Sequence, residues 1–178
     1  GLAITDAIAQ NNQQVNPVLT RKNQKERNPK ETLAINFYRE KKYQKAAELF
    51  QQLYKTKQSN YYYNYLFNCL IATKNYKQAE RVVKQQKKSN PGNYRYMIDE
   101  AYVAGLSGNK KKSNKILDKI INNLPTQRNQ IIQITSSLQS KGFADMAIKV
   151  FQKAKLMPGS NYEYNFEMAN AYLFSGDY

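Results

Sequence analysis

The side chains that most often carry out catalysis are scarce in this chain. It contains no His, so it lacks the commonest general base and metal ligand, and neither a Ser-His-Asp nor a Cys-His arrangement can form within it. Its single cysteine, Cys69, lies in an apolar helical stretch, which predicts a buried side chain rather than a reactive thiol. Asp99 and Glu100 are adjacent, and neighbouring helix residues point to different faces. We therefore expect no enzyme, no metal site and no cofactor.

The most unusual local feature is the run of four tyrosines and one asparagine from Tyr61 to Tyr65. On a helix, Tyr63 shares a face with Phe67, which predicts a core position. A second face carries Tyr61, Asn64, Tyr65 and Asn68. Because Tyr gives rigid contact area and Asn can pair with a peptide backbone, this second face is a candidate binding patch. Packing between helices is the simpler explanation for any one of these tyrosines.

The elements that position this run belong to an internal repeat. Four stretches with helical apolar spacing are aligned by small residues at separations of 33, 34 and 34, namely Ala46, Ala79, Ser113 and Ala147. Twelve residues before each lies a second set, namely Ala34, Phe67, Ala101 and Thr135. Prolines keep the same period after the second helix of their units, at Pro91, Pro125 and Pro158. Two independent markers with one period indicate stacked helix pairs.

A two-helix unit of about 34 residues with small anchors and a closing proline resembles the tetratricopeptide repeat. The similarity is plainest in Ala169-Asn170-Ala171-Tyr172, followed by Gly176-Asp177-Tyr178. It implies an all-α fold, a right-handed α-solenoid whose first helices line a concave groove and whose second helices form much of the outside. The predicted repeat domain covers 27–178. Its units are 27–59, 60–93, 94–127 and 128–161, with a partial unit at 162–178.

The resemblance also implies which residues face the groove. These are Tyr38, Arg39, Tyr61, Asn64, Tyr65, Asn68, Arg95, Ile98, Asp99, Tyr102 and Ser136. Some family members grip a peptide's terminal carboxylate with Lys and Asn on a first helix. Glu31 and Ile35 occupy the matching positions here, so that clamp is not implied. The leading interpretation is a non-catalytic scaffold that binds a protein or peptide in this groove.

The charge distribution supports a second hypothesis. The net charge is +15, and residues 21–119 hold 23 Lys/Arg against 8 Asp/Glu, while the rest of the chain balances to zero. A solvated face that keeps the protein soluble explains this most simply. The alternative is binding of an anionic polymer or nucleic acid through a basic surface, although no nucleic-acid motif occurs. A third interpretation is the recognition module of a larger protein with its activity elsewhere.

The two ends lead to expectations about localisation and assembly. Residues 1–26 form a polar lead-in, in which Leu2 to Ala9 resembles the small-residue end of a secretory signal. Small residues also occur at such positions by chance, so export to the periplasm or cell envelope and cytoplasmic residence are equally open. No stretch approaches the roughly 20 apolar residues of a membrane span. Near the other end, a fifth first helix lacks its partner. We expect it to leave an apolar face partly open, at Met168, Ala171, Tyr172 and Phe174, which would favour a continued chain or self-association.

Overall fold

The computed structural model describes residues 28–160 and 163–176, and every regular element in those two ranges is an α-helix. The helices are α1 (Pro29–Arg39), α2 (Tyr43–Thr56), α3 (Asn60–Ala72), α4 (Tyr76–Ser89), α5 (Tyr94–Leu106), α6 (Lys110–Asn122), α7 (Arg128–Ser140), α8 (Ala144–Lys155) and α9 (Asn165–Ser175). No strand occurs in these ranges, so the predicted all-α fold is confirmed. The lead-in 1–26, with its signal-like stretch, lies outside the described residues, as do Asp177 and Tyr178.

The helices form successive pairs joined by tight turns, and each helix contacts mainly its neighbours. The pairs are α1–α2, α3–α4, α5–α6 and α7–α8, followed by the first helix α9. Each helix packs mainly against the next along the chain. The exception is α7, whose main contacts are with α5 and α8, and α8 also contacts α6. Contacts confined to neighbouring units are the signature of an α-solenoid. First helices therefore lie beside one another, which is the arrangement that builds a shared binding face.

The turn inside each pair has one repeated backbone conformation. A single residue takes a positive φ, between 56° and 88°, at Lys41, Lys74, Gly108 and Gly142. The following N–H then bonds a carbonyl five residues back at 2.8 Å in all four turns, from Lys42, Asn75, Asn109 and Phe143. This left-handed cap satisfies carbonyls that a helix end leaves unpaired. In two units an asparagine side chain also caps the second helix, at Asn75 and Asn109.

The small anchor residues lie in the packed interior of the helix pairs. Ala46, Ala79 and Ala147 are fully buried and Ser113 is 4% exposed, so the prediction of a tightly packed small position is confirmed. Large apolar side chains fill the space around them, with Phe50 and Tyr63 in the first two units and Phe151 in the fourth. Cys69 is buried as predicted. None of the described helices is long and apolar enough to cross a membrane.

The last helix exposes only part of the apolar surface that was predicted. Tyr172 is 36% exposed and Met168 is partly buried, in agreement with the prediction, whereas Ala171 is fully buried against the core of the third and fourth units, so its predicted exposure is wrong. The side chain of Phe174 lies outside the described residues. Two further apolar side chains face solvent, Phe166, 76% exposed, and Leu173, 59% exposed. The reason is geometric: α9 rests on α8 through its Ala171 side, which turns the opposite side outward.

Candidate binding face

The first helices present a row of aromatic and amide side chains on one side of the solenoid. Tyr61 is 46% exposed, Tyr65 is half-buried and Asn68 is exposed, all on α3. The ring of Tyr65 lies edge-on to those of Tyr61 and Tyr38, with centroids 5.1 and 4.9 Å apart. It also stacks on buried Phe50 at 4.7 Å, with 8° between the planes. This row joins α1 to α3, and the buried ring of Phe50 supports it from the core side.

The other two tyrosines of the run have structural partners. Tyr63 is fully buried, as predicted, and its hydroxyl donates to Asp99 Oδ2 at 2.7 Å. The hydroxyl of Tyr62 donates to Glu31 Oε2 at 2.6 Å, and this hydrogen bond is the main reason that the pKa of Tyr62 rises to about 12. The run therefore divides by helical face, and Tyr61 and Tyr65 lie on the more exposed side.

Arg95, on α5, reaches back to the tyrosine-bearing helix. Its guanidinium donates from Nη1 to Asn60 Oδ1 at 3.3 Å and from Nη2 to Asn64 Oδ1. The side chain is half-buried, and it forms no ion pair with a carboxylate among residues 28–160 and 163–176. Both of its hydrogen-bond partners are neutral amides, and its positive charge opposes the rise in the pKa of the nearby buried Asp99.

A buried chain of hydrogen bonds lies behind this guanidinium. Tyr96 donates its hydroxyl proton to Asn60 Oδ1 at 2.8 Å and accepts from Gln86 Nε2 at 3.1 Å. Gln86 Oε1 in turn accepts from the hydroxyl of Tyr54 at 2.7 Å. Tyr54, Gln86 and Tyr96 are at most 3% exposed, and they come from three successive units. Gln86 was not among the predicted residues, although it occupies the next position of the apolar stripe that holds Ala79, Val82 and Val83.

Two of the predicted groove residues do not reach the surface. Ile98 is fully buried and packs with the core of the third and fourth units. The side chain of Asp99 is 3% exposed, accepts from Tyr63 and lies 3.7 Å from Lys141 Nζ. Burial raises the pKa of Asp99 above its ordinary value of 3.8, against the opposing effect of Lys141. These two residues therefore support the binding face from beneath instead of lining it.

The reason for the deep position of Asp99 is a contact across units. Lys141, in the turn of the fourth unit, extends over the rings of Phe67 and Tyr102, at 5.0 and 5.5 Å from their centroids. Its ammonium group covers Asp99 and leaves Tyr102 only half-exposed to solvent. Positions on one helix face therefore differ in depth, because an element two helices away covers some of them.

A cleft of about 690 Å³ opens between the start of α5 and the face of α7. Arg95 forms part of one wall, and Gln133 and Ser136 form part of the other, together with Ile132 and the loop that contains Gly92. It thus brings together two of the predicted groove residues, Arg95 and Ser136. Tyr38, Tyr61, Asn64, Tyr65 and Asn68 form the neighbouring row, whereas Arg39 lies exposed at the end of α1. We call this combined surface, the row and the cleft, the first-helix face.

The basic side chains lie mostly elsewhere. Some are paired, since Lys112 contacts Glu80 and Glu100, and Lys87 also contacts Glu100. Exposed lysines that form no ion pair with the described carboxylates occupy the turns and the second helices, at Lys45, Lys74, Lys77, Lys84, Lys88, Lys110, Lys111, Lys115 and Lys119. Within the same two ranges, no group of three or more His, Cys, Asp or Glu side chains could hold a metal ion.

Comparison with known proteins identifies the repeat. Residues 37–104 match the family model described as "Tetratricopeptide repeat". No curated protein sequence matches the chain. Its fold is similar to that of a structure titled "MamA RS-1 ArsTM double mutant", at 12% identity over 83% of this chain and 84% of that one, with a TM-score of 0.47.

Two further solved structures have the same kind of similarity. The structure titled "MamA AMB-1 P212121" is 16% identical over 84% of this chain and 89% of its own, with a TM-score of 0.43. The C-terminal part of a TPR repeat-containing protein from Cytophaga hutchinsonii is 18% identical over 82% of this chain and 58% of its own, with a TM-score of 0.40. At these identities the similarity concerns the helical-repeat fold alone.

Proposed function

We propose that this protein is a non-catalytic scaffold that binds an extended segment of another protein on its first-helix face. The proposal starts from the match of residues 37–104 to the tetratricopeptide repeat, a fold that supports protein interaction in general. The observation that carries this proposal is the continuity of that face. The row that contains Tyr61, Tyr65 and Asn68 is linked to the 690 Å³ cleft through Asn64, which accepts a hydrogen bond from Arg95 in the cleft wall. Solenoids present such surfaces to extended partners.

The chemistry of the row suits a peptide. Rigid tyrosines bury area at a small entropic cost, and they are enriched among the residues that dominate binding energies. Asn68 donates only a long hydrogen bond, 3.5 Å, to Tyr38, so its amide can exchange that partner for a peptide carbonyl. Gln133 and Ser136 are exposed on the opposite wall and add further polar groups. A segment lying across the face would meet aromatic contacts at one end and polar contacts at the other.

A random 12-residue peptide library displayed on phage, selected on this protein, provides the test. Affinities of the selected peptides are measured by fluorescence polarisation for the wild type and for the triple variant Tyr61→Ala, Asn68→Ala, Ser136→Ala. We expect the triple variant to bind at least about 10-fold more weakly, because an exposed tyrosine anchor alone is worth that much. All three side chains are exposed, so the variant should fold normally.

The matched control changes two exposed residues on second helices, Gln85→Ala and Asn114→Ala. It should bind like the wild type. Tyr65 and Tyr102 are not suitable targets, because Tyr65 stacks on Phe50 and Tyr102 contacts Lys141, so their loss would also disturb packing. Equal affinity of the triple variant and the wild type would move the site away from the first-helix face.

The exposed unpaired lysines support the second candidate, binding of an anionic polymer through the turns and second helices. Salt dependence separates the two functions. A polymer held by six or more phosphate contacts should lose about 1,000-fold in affinity between 50 and 200 mM salt, whereas a peptide on the first-helix face should lose far less. A single-stranded oligonucleotide titrated at both salt concentrations gives the comparison. Tight, steeply salt-dependent binding that the triple variant retains would favour the polymer.

A further inference from the structure

The second helices lie side by side and form a surface of their own. A side-chain contact joins each of them to the next. The three contacts run from Gln78 of α4 to Gln51 of α2 at 3.0 Å, from Lys112 of α6 to Glu80 of α4, and from Lys153 of α8 to Asn122 of α6 at 3.5 Å. We call the outward side of α2, α4, α6 and α8 the second-helix face. None of its side chains belongs to the first-helix face, so it can bind a different partner.

On α4, the second-helix face carries a line of positive charge, which we call the basic stripe. It consists of Lys77, Arg81, Lys84 and Lys88. Their spacing of i, i+4, i+7 and i+11 places them within about 60° of one another around the helix and along about 16 Å of its length. All four are exposed, and none forms an ion pair with a carboxylate among residues 28–160 and 163–176. Glu80, the acidic residue of α4, contacts Lys112 of α6 instead.

The same four positions of the repeat differ in the other units. Their charged residues are Glu48 and Lys55 on α2, Lys111, Lys115 and Asp118 on α6, and Asp145 and Lys149 on α8. These charges cancel on α2 and α8, whereas on α6 an excess of positive charge remains, to which the exposed Lys119 adds. Like charges at i, i+4 repel one another and destabilise a helix. The basic stripe therefore has a cost that the first and fourth units avoid, and a bound anionic surface would relieve it.

An exposed leucine lies at the edge of this basic region. Leu156 directly follows α8 and is 83% exposed, more than any other large apolar side chain that the structure describes. It occupies the repeat position of Lys88, so it faces the same side as the basic stripe. Lys153, three residues before it, donates to Asn122 of α6, so Leu156 lies near the border between α8 and α6. A side chain of this size gains free energy when it leaves water.

We infer that the second-helix face docks on an anionic phospholipid surface, through the charges of α4 and α6 and through insertion of Leu156. Clusters of about four to eight Lys and Arg bind anionic lipid headgroups, and an inserted apolar side chain adds to that attraction. A nucleic acid would match the charges, but it offers no apolar environment to Leu156. The basic stripe also lacks aromatic side chains on which bases could stack. Because the first-helix face stays open in this arrangement, the inference is independent of the function proposed above.

Flotation of the protein with lipid vesicles tests this inference. The vesicles consist of phosphatidylcholine alone or of phosphatidylcholine with about a third phosphatidylglycerol, at physiological salt. We expect the wild type to bind the anionic vesicles only. The stripe variant Lys77→Gln, Arg81→Gln, Lys84→Gln, Lys88→Gln should bind them at least about 100-fold more weakly, because each Lys or Arg near such a surface contributes about fivefold. All four positions are exposed, so the variant should keep the wild-type circular dichroism spectrum and melting temperature.

The matched control removes the same number of charges from exposed positions of the first unit. It combines Arg39→Gln, Lys41→Gln, Lys45→Gln and Lys57→Gln. Salt screens charges that lie away from the membrane, so this control should bind anionic vesicles within about threefold of the wild type.

A second pair of variants tests the apolar contact. Leu156→Ser should weaken binding to anionic vesicles about 10-fold and leave binding of a single-stranded oligonucleotide unchanged. Leu173→Ser, which changes a leucine of α9 that is 59% exposed, should bind vesicles like the wild type.

Three outcomes would overturn the inference. The first is the absence of binding to anionic vesicles, and the second is an equal loss in the stripe variant and its matched control, which would assign binding to net charge. The third is wild-type vesicle binding by Leu156→Ser together with tighter binding of the oligonucleotide than of the vesicles, which would favour the polymer. The peptide affinity of the stripe variant is a separate measurement. It should equal that of the wild type, so failure of this inference leaves the first-helix face as it stands.

Discussion

The buried link between Tyr54, Gln86 and Tyr96 allows a sharp test of how the units are joined. Gln86 accepts from the Tyr54 hydroxyl at 2.7 Å and donates to Tyr96 at 3.1 Å, and Gln86 is 2% exposed. Burial is the main reason that the pKa of Tyr54 rises to about 12, so this hydroxyl is far from water. Gln86→Leu would leave the Tyr54 hydroxyl proton without a hydrogen-bond acceptor. An unpaired buried donor costs about 1–3 kcal/mol of unfolding free energy.

The second member of the test removes the stranded group. Tyr54→Phe together with Gln86→Leu takes away both partners, and such apolar replacements of similar shape are often nearly neutral. Tyr96 keeps its own donated bond to Asn60, so it is not left unsatisfied. We expect the double variant to lie within about 1 kcal/mol of the wild type, which gives a coupling energy of about 1–3 kcal/mol between the two sites.

Urea and thermal unfolding followed by circular dichroism would measure these differences. A loss of 1–3 kcal/mol corresponds to a fall of about 2–12 °C in the melting temperature for a chain of this size. Because Tyr54 and Gln86 belong to different units, Gln86→Leu should also broaden the transition as coupling between repeats weakens. If the losses of unfolding free energy in Tyr54→Phe and Gln86→Leu simply add in the double variant, the coupling energy is zero and the reasoning fails.

Four further outcomes follow from the fold. Ala79→Leu should overpack the closest approach of α3 and α4 and cost about 1–3 kcal/mol, measured by urea unfolding; an unchanged midpoint would show that the repeat register is wrong. Lys74→Gly should stabilise by about 0.5–1 kcal/mol in the same assay, because its φ of 56° strains any residue with a Cβ. Burial raises the pKa of Cys69 to about 12, so a thiol reagent at pH 8 should label it at least about 100-fold faster in urea than in the native state. Burial raises the pKa of Asp99, so the stability that its protonated carboxyl contributes is complete below pH 3.8 and is lost as the pH rises through the folded-state pKa. The unfolding free energy of Asp99→Asn should therefore increase relative to that of the wild type as the pH rises. Parallel pH profiles of the two proteins would contradict this.

The repeat and its core could be predicted from the sequence because they depend on local geometry. A period of 33 or 34 residues between small side chains fixes where paired helices touch, and Ala46, Ala79 and Ala147 are buried there. The turns also depend on local geometry: Lys74 and Gly108 take the left-handed conformation, and the asparagine that follows each of them caps the next helix. Even Lys74, which lacks the freedom of glycine, takes the repeated turn conformation because the helices on either side determine it.

Depth within the binding face could not be predicted in this way. Position in the repeat gives the direction of a side chain around its helix, and by that criterion Ile98 and Asp99 should face the groove. Whether such a side chain reaches solvent depends on elements from other units, and Lys141 of the fourth unit covers Asp99 in the third. No periodicity in the third unit contains that information. The same holds for Gln86, whose apolar stripe indicates burial but not the two tyrosines that make its burial tolerable.

Gln86 and Arg95 show two ways in which this fold accommodates a polar side chain between units. Gln86 is buried with its carbonyl and amide groups both bonded, by side chains from the units on either side of its own, so its chemistry is complete within the protein. Arg95 donates to Asn60 and Asn64 of the preceding unit, and its positive charge opposes the rise in the pKa of the buried Asp99. Both side chains therefore join successive units, Gln86 through neutral hydrogen bonds and Arg95 through hydrogen bonds and its charge. Position in the repeat predicts neither role, because each depends on a partner in another unit or at another depth.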